Sequence, residues 1–325
     1  MKKIFDKQNI FLFLLVIMII AGKFVPYKES YNEVFNLEKF INWGIAGIFL
    51  LYGLKLNLKE MWQALSHWKL HLVIQVVTFL LFPLLVFLFY GFFKESLYFK
   101  IWLSVFFLAS LPSTVSSSVV MVSMAKGNVT SAIFNASISG LIGIVMTPLL
   151  MSFFFTSEKS EESGDLMQIF YELLKKVILP IVLGLLFNSF LKKWVIKYSK
   201  WIAEFDRLII LLIVYESFSA AFLNKIFSSV SVSIFLILAS SVIVLFFVVY
   251  EIIKFIAKKL KFNREDTITA TFCGSKKSLV HGSLFVMILG IPESQKVLFL
   301  LPVMIYHSFQ LFYVSWLANR LSKTV

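Results

Sequence analysis

Two adjacent lysines, Lys276 and Lys277, stand in the middle of the apolar stretch TITATFCGSKKSLVHGSLFVMILG, residues 267–290. A helix needs about 20 apolar residues to cross a bilayer, and this stretch has that length. A lysine at the centre of such a helix costs roughly 2.5–3.5 kcal/mol on insertion scales. Charged or irregular backbone at that depth is tolerated only where it is buried in protein or lines a water-filled cavity. The lysines are flanked by Gly274, Ser275 and Ser278, so the stretch is expected to break and to line a cavity. Three roles are open to the pair. They bind an anionic substrate, they replace a metal cation as the fixed positive charge, or they neutralise the carbonyl end of a broken helix, where cations are favoured.

Other polar side chains lie at similar depth. Leu111-Pro112-Ser113-Thr114-Val115-Ser116-Ser117-Ser118 interrupts a second apolar run. Proline removes an N–H, and serine and threonine hydroxyls compete for backbone groups. Ser116, Ser117 and Ser118 either coordinate a ligand through their hydroxyls or bond back to carbonyls of the preceding turn. Ser131 and Asn135 share one helix face at i, i+4. Glu216 is a carboxylate inside LLIVYESFSAAF and by default a functional candidate, as a proton relay or a charge partner. His307 and Gln310, at i, i+3, pair with each other as packing polar groups or bond between helices. His281 follows the lysines and is placed to titrate near neutral pH. A serine beside a desolvated lysine is also a nucleophile–base arrangement, which keeps a membrane hydrolase open as a remote alternative. No oxyanion-hole motif accompanies it, so no catalytic residue is assigned and the chain is read as not an enzyme. Cys273 is the only cysteine, and the four histidines show no zinc-type spacing, so neither an internal disulfide nor a metal site is expected.

These residues must be positioned by membrane spans. The 325 residues are 59% hydrophobic and only 15% charged, where a soluble chain carries about 25%. Apolar segments lie near 10–25, 40–55, 70–91, 101–125, 129–155, 167–190, 205–224, 230–257, 267–290 and 295–318. The first resembles a signal peptide but runs on to Val25 without a convincing cleavage site, and is read as a retained span. The net charge of +13 falls mostly between spans, where it orients the protein and meets anionic headgroups; nucleic acid is not an expected partner. With the N-terminus inside, seventeen Lys and Arg face the cytoplasm against eight outside, which predicts cytoplasmic termini at both ends. The acidic connector TSEKSEESGD is the natural midpoint. It divides the single transporter domain, 1–325, into repeat one (about 1–155), the connector (156–166) and repeat two (about 167–325). Five spans on each side make two inverted repeats, and the interrupted spans four and nine then occupy corresponding positions, a pointer to a midplane binding site.

The Leu111-Pro112 serine run, Ala125-Lys126-Gly127-Asn128-Val129 and Thr147-Pro148 resemble the bile acid:sodium symporter superfamily. Phe272-Cys273-Gly274-Ser275-Lys276-Lys277-Ser278-Leu279, Leu301-Pro302, Ile305-Tyr306-His307 and Gln310 are similar to its YfeH-like branch, which includes solute carrier family ten, member seven. The resemblance covers nearly the whole chain. It implies an all-α membrane protein of ten transmembrane helices, with broken helices four and nine crossing in a core domain beside a panel domain. It implies secondary-active transport of an organic anion or other small solute by alternating access, at the plasma membrane or the inner membrane of a bacterium. The other function kept open is a non-transporting regulator of ion homeostasis on the same fold.

In better-known relatives two sodium ions sit beside the crossing. Gln75 matches a sodium-ligand glutamine of the family, Ser117 and Ser118 lie one residue out of its register, and Ser131 and Asn135 lie near its ligand positions. Phe272, however, stands where the relatives place a glutamate, and Lys276 where they place a glutamine. Losing a carboxylate and gaining an ammonium disfavours a cation. No cofactor is therefore expected, and sodium is disfavoured. The ion- or substrate-binding candidates are Ser116, Ser117, Ser118, Gln75, Ser131, Asn135, Ser275, Lys276, Lys277 and Ser278, with Glu216 and His307 as proton or charge partners.

Overall fold

In the computed structural model the described residues are 2–27, 36–55, 67–114, 116–155, 171, 174–223 and 232–323, and they form helices and short connections. The acidic connector 156–166 lies outside them, as does the side chain of Ser116. Each of the ten apolar windows contains helix. In lipid a chain must satisfy its own backbone N–H and C=O groups, and a helix does this within one segment.

The helices are α1 (Lys2–Phe24), α2 (Leu37–Lys55), α3 (Trp68–Phe87), α4 (Phe99–Ser110), α5 (Ser116–Met124) and α6 (Val129–Phe155). They continue with α7 (Leu179–Lys197), α8 (Ser199–Leu223), α9 (Val232–Lys259), α10 (Arg264–Gly274), α11 (Leu279–Ile288) and α12 (Glu293–Ser322). Among the described residues, α2, α3, α6, α9 and α12 are long and apolar enough to cross a membrane. The windows at 101–125 and 267–290 are each two helices with a non-helical gap, as α4 with α5 and as α10 with α11.

The chain forms two compact units, and each takes segments from both halves of the sequence. Met1–Asn57, Phe155–Ser231 and Ser283–Val297 make the first. In it α1 packs on α8, and α2 packs on α7 and α8. A methyl group added at Gly53 would overlap the Ile181 carbonyl, and one at Gly184 would overlap the Leu50 carbonyl. The two glycines therefore let the α2 and α7 backbones touch, the small-residue contact that membrane helices use in place of hydrophobic burial.

Leu58–Phe154, Val232–Gly282 and Leu298–Val325 make the second unit. Its α3 is interrupted by a π-helical turn, Val77–Leu81, just ahead of Pro83. An aromatic cluster ties α3, α4 and α6 together: Trp102 donates its indole N–H to Val86 O at 3.1 Å, and Phe106 meets Phe154 at 4.8 Å between ring centroids. A second aromatic cluster, Phe246 with Tyr306, Phe309 and Tyr313, joins α9 to α12. Asn263 caps α10, accepting from the Asp266 N–H at 2.7 Å. The first cluster includes α4, which leads into the first gap, and the second joins the two helices α9 and α12.

Candidate functional site

The first gap follows α4. Leu111 is extended (φ −70°, ψ 151°) and Pro112 has no N–H to give. The last carbonyls of α4 must therefore find acceptor duty elsewhere, and each does. Leu108 O accepts from Leu111 N at 3.2 Å, and Ser110 O accepts from the Thr147 hydroxyl at 2.8 Å. Ala109 O loses its helical donor because the Ser113 N–H turns to the Ser139 hydroxyl, 3.0 Å away. It accepts instead from Lys277 Nζ at 2.6 Å, and Leu111 O accepts from the same ammonium at 2.7 Å.

The second gap lies between α10 and α11 and meets the first. The Ser278 N–H donates to Pro112 O at 2.9 Å, and the Ser113 hydroxyl donates to Cys273 O at 2.5 Å. The third acceptor of Lys277 Nζ is Thr78 O at 2.8 Å. This carbonyl is free for a local reason. In the π turn the Phe82 N–H bonds Val77 O, so the next donor in register would be residue 83, a proline. All three N–H groups of Lys277 are thus used, and the Phe82 ring lies 4.2 Å from Nζ.

The backbone of Lys277 is held as firmly. Its N–H donates to Gln310 Oε1 at 2.8 Å, and Gln310 Nε2 donates back to its carbonyl at 2.8 Å. These partners fix the orientation of the amide. The second Nε2 proton points to His307 Nδ1 at 2.9 Å. The Tyr306 hydroxyl donates to Ser275 O at 2.6 Å. The sequence pattern suggested the His307–Gln310 pairing but not its purpose, which is to clamp the peptide that carries the lysine.

Lys276 differs from its neighbour. It is equally buried, at 0% exposure, yet its Nζ reaches one carbonyl, Ser117 O at 3.1 Å, and the Met121 thioether at 2.8 Å. Sulfur is a weak acceptor. Among the described residues one of its N–H groups has no acceptor. The Ser117 hydroxyl donates to Thr114 Oγ1 at 2.9 Å, and Ser118 and Thr114 share a hydrogen bond at 2.7 Å. These hydroxyls thus stabilise the gap through Thr114, not through carbonyls of the preceding turn. The lysine meets the Ser117 carbonyl and not its hydroxyl, so the pairing found is not the one a Ser–Lys hydrolase needs. Ser275 bonds back to Thr271 O at 2.6 Å, and Ser278 Oγ caps α11 by accepting from the His281 N–H at 3.3 Å and also lies 3.0 Å from His281 Nδ1.

A second polar group lies between α3 and α6. Gln75 Nε2 donates to Asn135 Oδ1 at 3.1 Å, while Asn135 Nδ2 meets Ser131 O at 2.9 Å and His71 Nδ1 at 2.8 Å. The structure thus brings together Gln75, Ser131 and Asn135, and adds His71, which the sequence reading passed over. Thr78, Met121 and Tyr306 were also missed. The polar residues of α3 that follow His71 gave a faint signal; main-chain carbonyls give none in a sequence. Glu216 belongs to the first unit, half-buried on α8 beside Ser217 and Ser219.

Among the described residues, five helices of bilayer-crossing length, together with two interrupted helices joined around two buried lysines, define a multi-pass membrane protein with a polar centre. The chain belongs to the SBF-like CPA transporter family, whose profile matches residues 9–323. It is 34% identical over 323 residues to YfeH of Escherichia coli (strain K12), whose name assigns it to the symporters provisionally; the match spans 99% of this chain and 95% of that protein. It is 31% identical over 309 residues to the uncharacterized protein PA2026 of Pseudomonas aeruginosa, over 95% and 91% of the two chains. It is 31% identical over 270 residues to sodium/bile acid cotransporter 7 of Rattus norvegicus, over 82% and 78%. The chain is therefore a membrane transporter of the bile acid:sodium symporter superfamily, in its YfeH-like branch.

Proposed function

We propose that the protein is a secondary-active carrier of a small organic anion, working by alternating access without a sodium ion at the crossing. Its ten spans form two inverted repeats, of about 1–155 and 167–325, in one transporter domain, with both termini on the cytoplasmic side of the plasma membrane or bacterial inner membrane. The observation that carries the reading is Lys276, buried where the two gaps join and left with one N–H that has no acceptor among the described residues. A donor of that kind suits a carboxylate or a sulfonate.

The same ammonium argues against sodium. Two unit charges about 4 Å apart repel by about 4 kcal/mol at an effective dielectric of about 20, a loss near a thousandfold in affinity. Gln75, Asn135, Ser131 and the span-four serines are neutral and do not offset that. Lys276 takes the part of the coupling cation, and Glu216, a carboxylate inside an apolar span, is the candidate for proton linkage. The word sodium in the name of the rat relative therefore does not carry over to this chain.

The test is uptake of small carboxylates and sulfonates into proteoliposomes, with sodium replaced by choline. Uptake is expected to be unaffected by that replacement and lost in Lys276→Met. Uptake that needs sodium would overturn the ion assignment. Absence of any anion flux from a folded, reconstituted protein would overturn the carrier assignment in favour of a regulator.

A further inference from the structure

The head group of Lys277 has the surroundings of a bound ion. We infer that the carbonyl oxygens of Thr78, Ala109 and Leu111, with the face of Phe82, form a monovalent-cation site. Lys277 plugs it with a tethered ammonium, and without the lysine the site takes a free primary alkylammonium or potassium ion.

The three oxygens lie 2.8, 2.6 and 2.7 Å from Nζ, and the ring centroid lies 4.2 Å from it. Each oxygen is aimed into the cage by the backbone and not by the lysine. Thr78 O is released by the π turn and Pro83. Ala109 O is released because Ser113 N bonds Ser139, and Leu111 O because α4 has already ended. The ligands are all neutral. Divalent calcium or magnesium sites rely on carboxylates, whereas neutral carbonyl oxygens replace the hydration shell of potassium in channel filters. Ammonium is close to potassium in size and larger than sodium, and the contact lengths around Nζ fit the larger ions. The aromatic face and the carboxyl end of α4 both favour a positive charge.

The experiment is thermal unfolding of purified full-length Lys277→Ala in choline, potassium and propylammonium salts at equal ionic strength. Choline carries no N–H and does not fit the cage. Propylammonium, and potassium more weakly, should raise the melting temperature, by roughly 4 °C at about a hundred times the dissociation constant. The unmodified protein, already plugged, should not respond. A folded Lys277→Ala with the same melting temperature in all three salts overturns the inference. Recovery of folded variant only from propylammonium supports it. Lys277→Met decides the matter where the alanine variant cannot be recovered, because it fills the cage without charge. It should melt roughly 10 °C below the unmodified protein and ignore the salts; melting at the unmodified temperature overturns the inference. The readout is stability, so failure of the transport reading leaves this test intact.

Discussion

The two gaps do opposite chemical work. The gap after α4 is made by a proline and releases acceptors: the carbonyls of Ala109, Leu111 and Pro112. The gap after α10 contains no proline and supplies donors: the Ser278 N–H and the ammonium groups of Lys276 and Lys277. Either alone would be costly in a membrane, where unsatisfied backbone groups find no water. Together they satisfy several of each other's groups, and α3 and α12 take up others. Interrupting one helix in a membrane is thus tolerated when a second interruption of complementary polarity is brought against it.

The comparison breaks most sharply if the donor gap loses its clamp. Gln310→Leu removes both bonds to the Lys277 peptide. At about 1–3 kcal/mol for each buried group left unsatisfied, the loss is about 2–6 kcal/mol, a fall in melting temperature of roughly 3–9 °C. Thermal unfolding in detergent measures it, and an unchanged melting temperature would mean that the gap is held by something else. Tyr306→Phe strips one donor from Ser275 O and is expected to cost about 1–2 kcal/mol by the same assay. Ser113→Ala removes the hydroxyl bond that the acceptor gap donates to Cys273 O, for about 1 kcal/mol. Lys276→Met should change stability least, within about 1 kcal/mol. Ser117 O keeps its place in the α5 ladder, and replacing a buried charge by an apolar group of similar volume is often neutral or better. Anion uptake should nevertheless disappear in that variant. A large loss of stability with uptake retained would exchange the roles given to the two lysines.

Much of this was legible in the residues. Proline with a serine run, and Gly-Ser-Lys-Lys-Ser at bilayer depth, located both gaps, because those residue types disfavour a helix in lipid wherever they occur. The division of labour between the lysines was not legible. Lys276 was the residue weighed against sodium, yet Lys277 holds three carbonyls and an aromatic face. Adjacent side chains of a non-helical segment point in different directions, and nothing in their order says which one enters the cage. The π turn at Val77–Leu81 was likewise invisible, since the apolar window from 70 to 91 reads as an ordinary helix with one proline. His71 went unnoticed because its partners Asn135 and Phe134 are more than sixty positions away.

The contacts of Lys277 also set an order of assembly. Its ammonium bonds to Thr78, 199 residues earlier, and to Ala109, 168 residues earlier. At about 5–20 residues per second, a ribosome needs on the order of 10–40 s to travel from Thr78 to Lys277. For most of that interval the carbonyls of the first gap wait in the translocation machinery or the bilayer without their final donor. The amino-terminal half therefore cannot mature ahead of the carboxyl-terminal half, and closure of the polar centre belongs to the end of synthesis. A nascent chain halted before Gly274 would hold an open acceptor gap, with Ala109 O and Leu111 O lacking their ammonium donor.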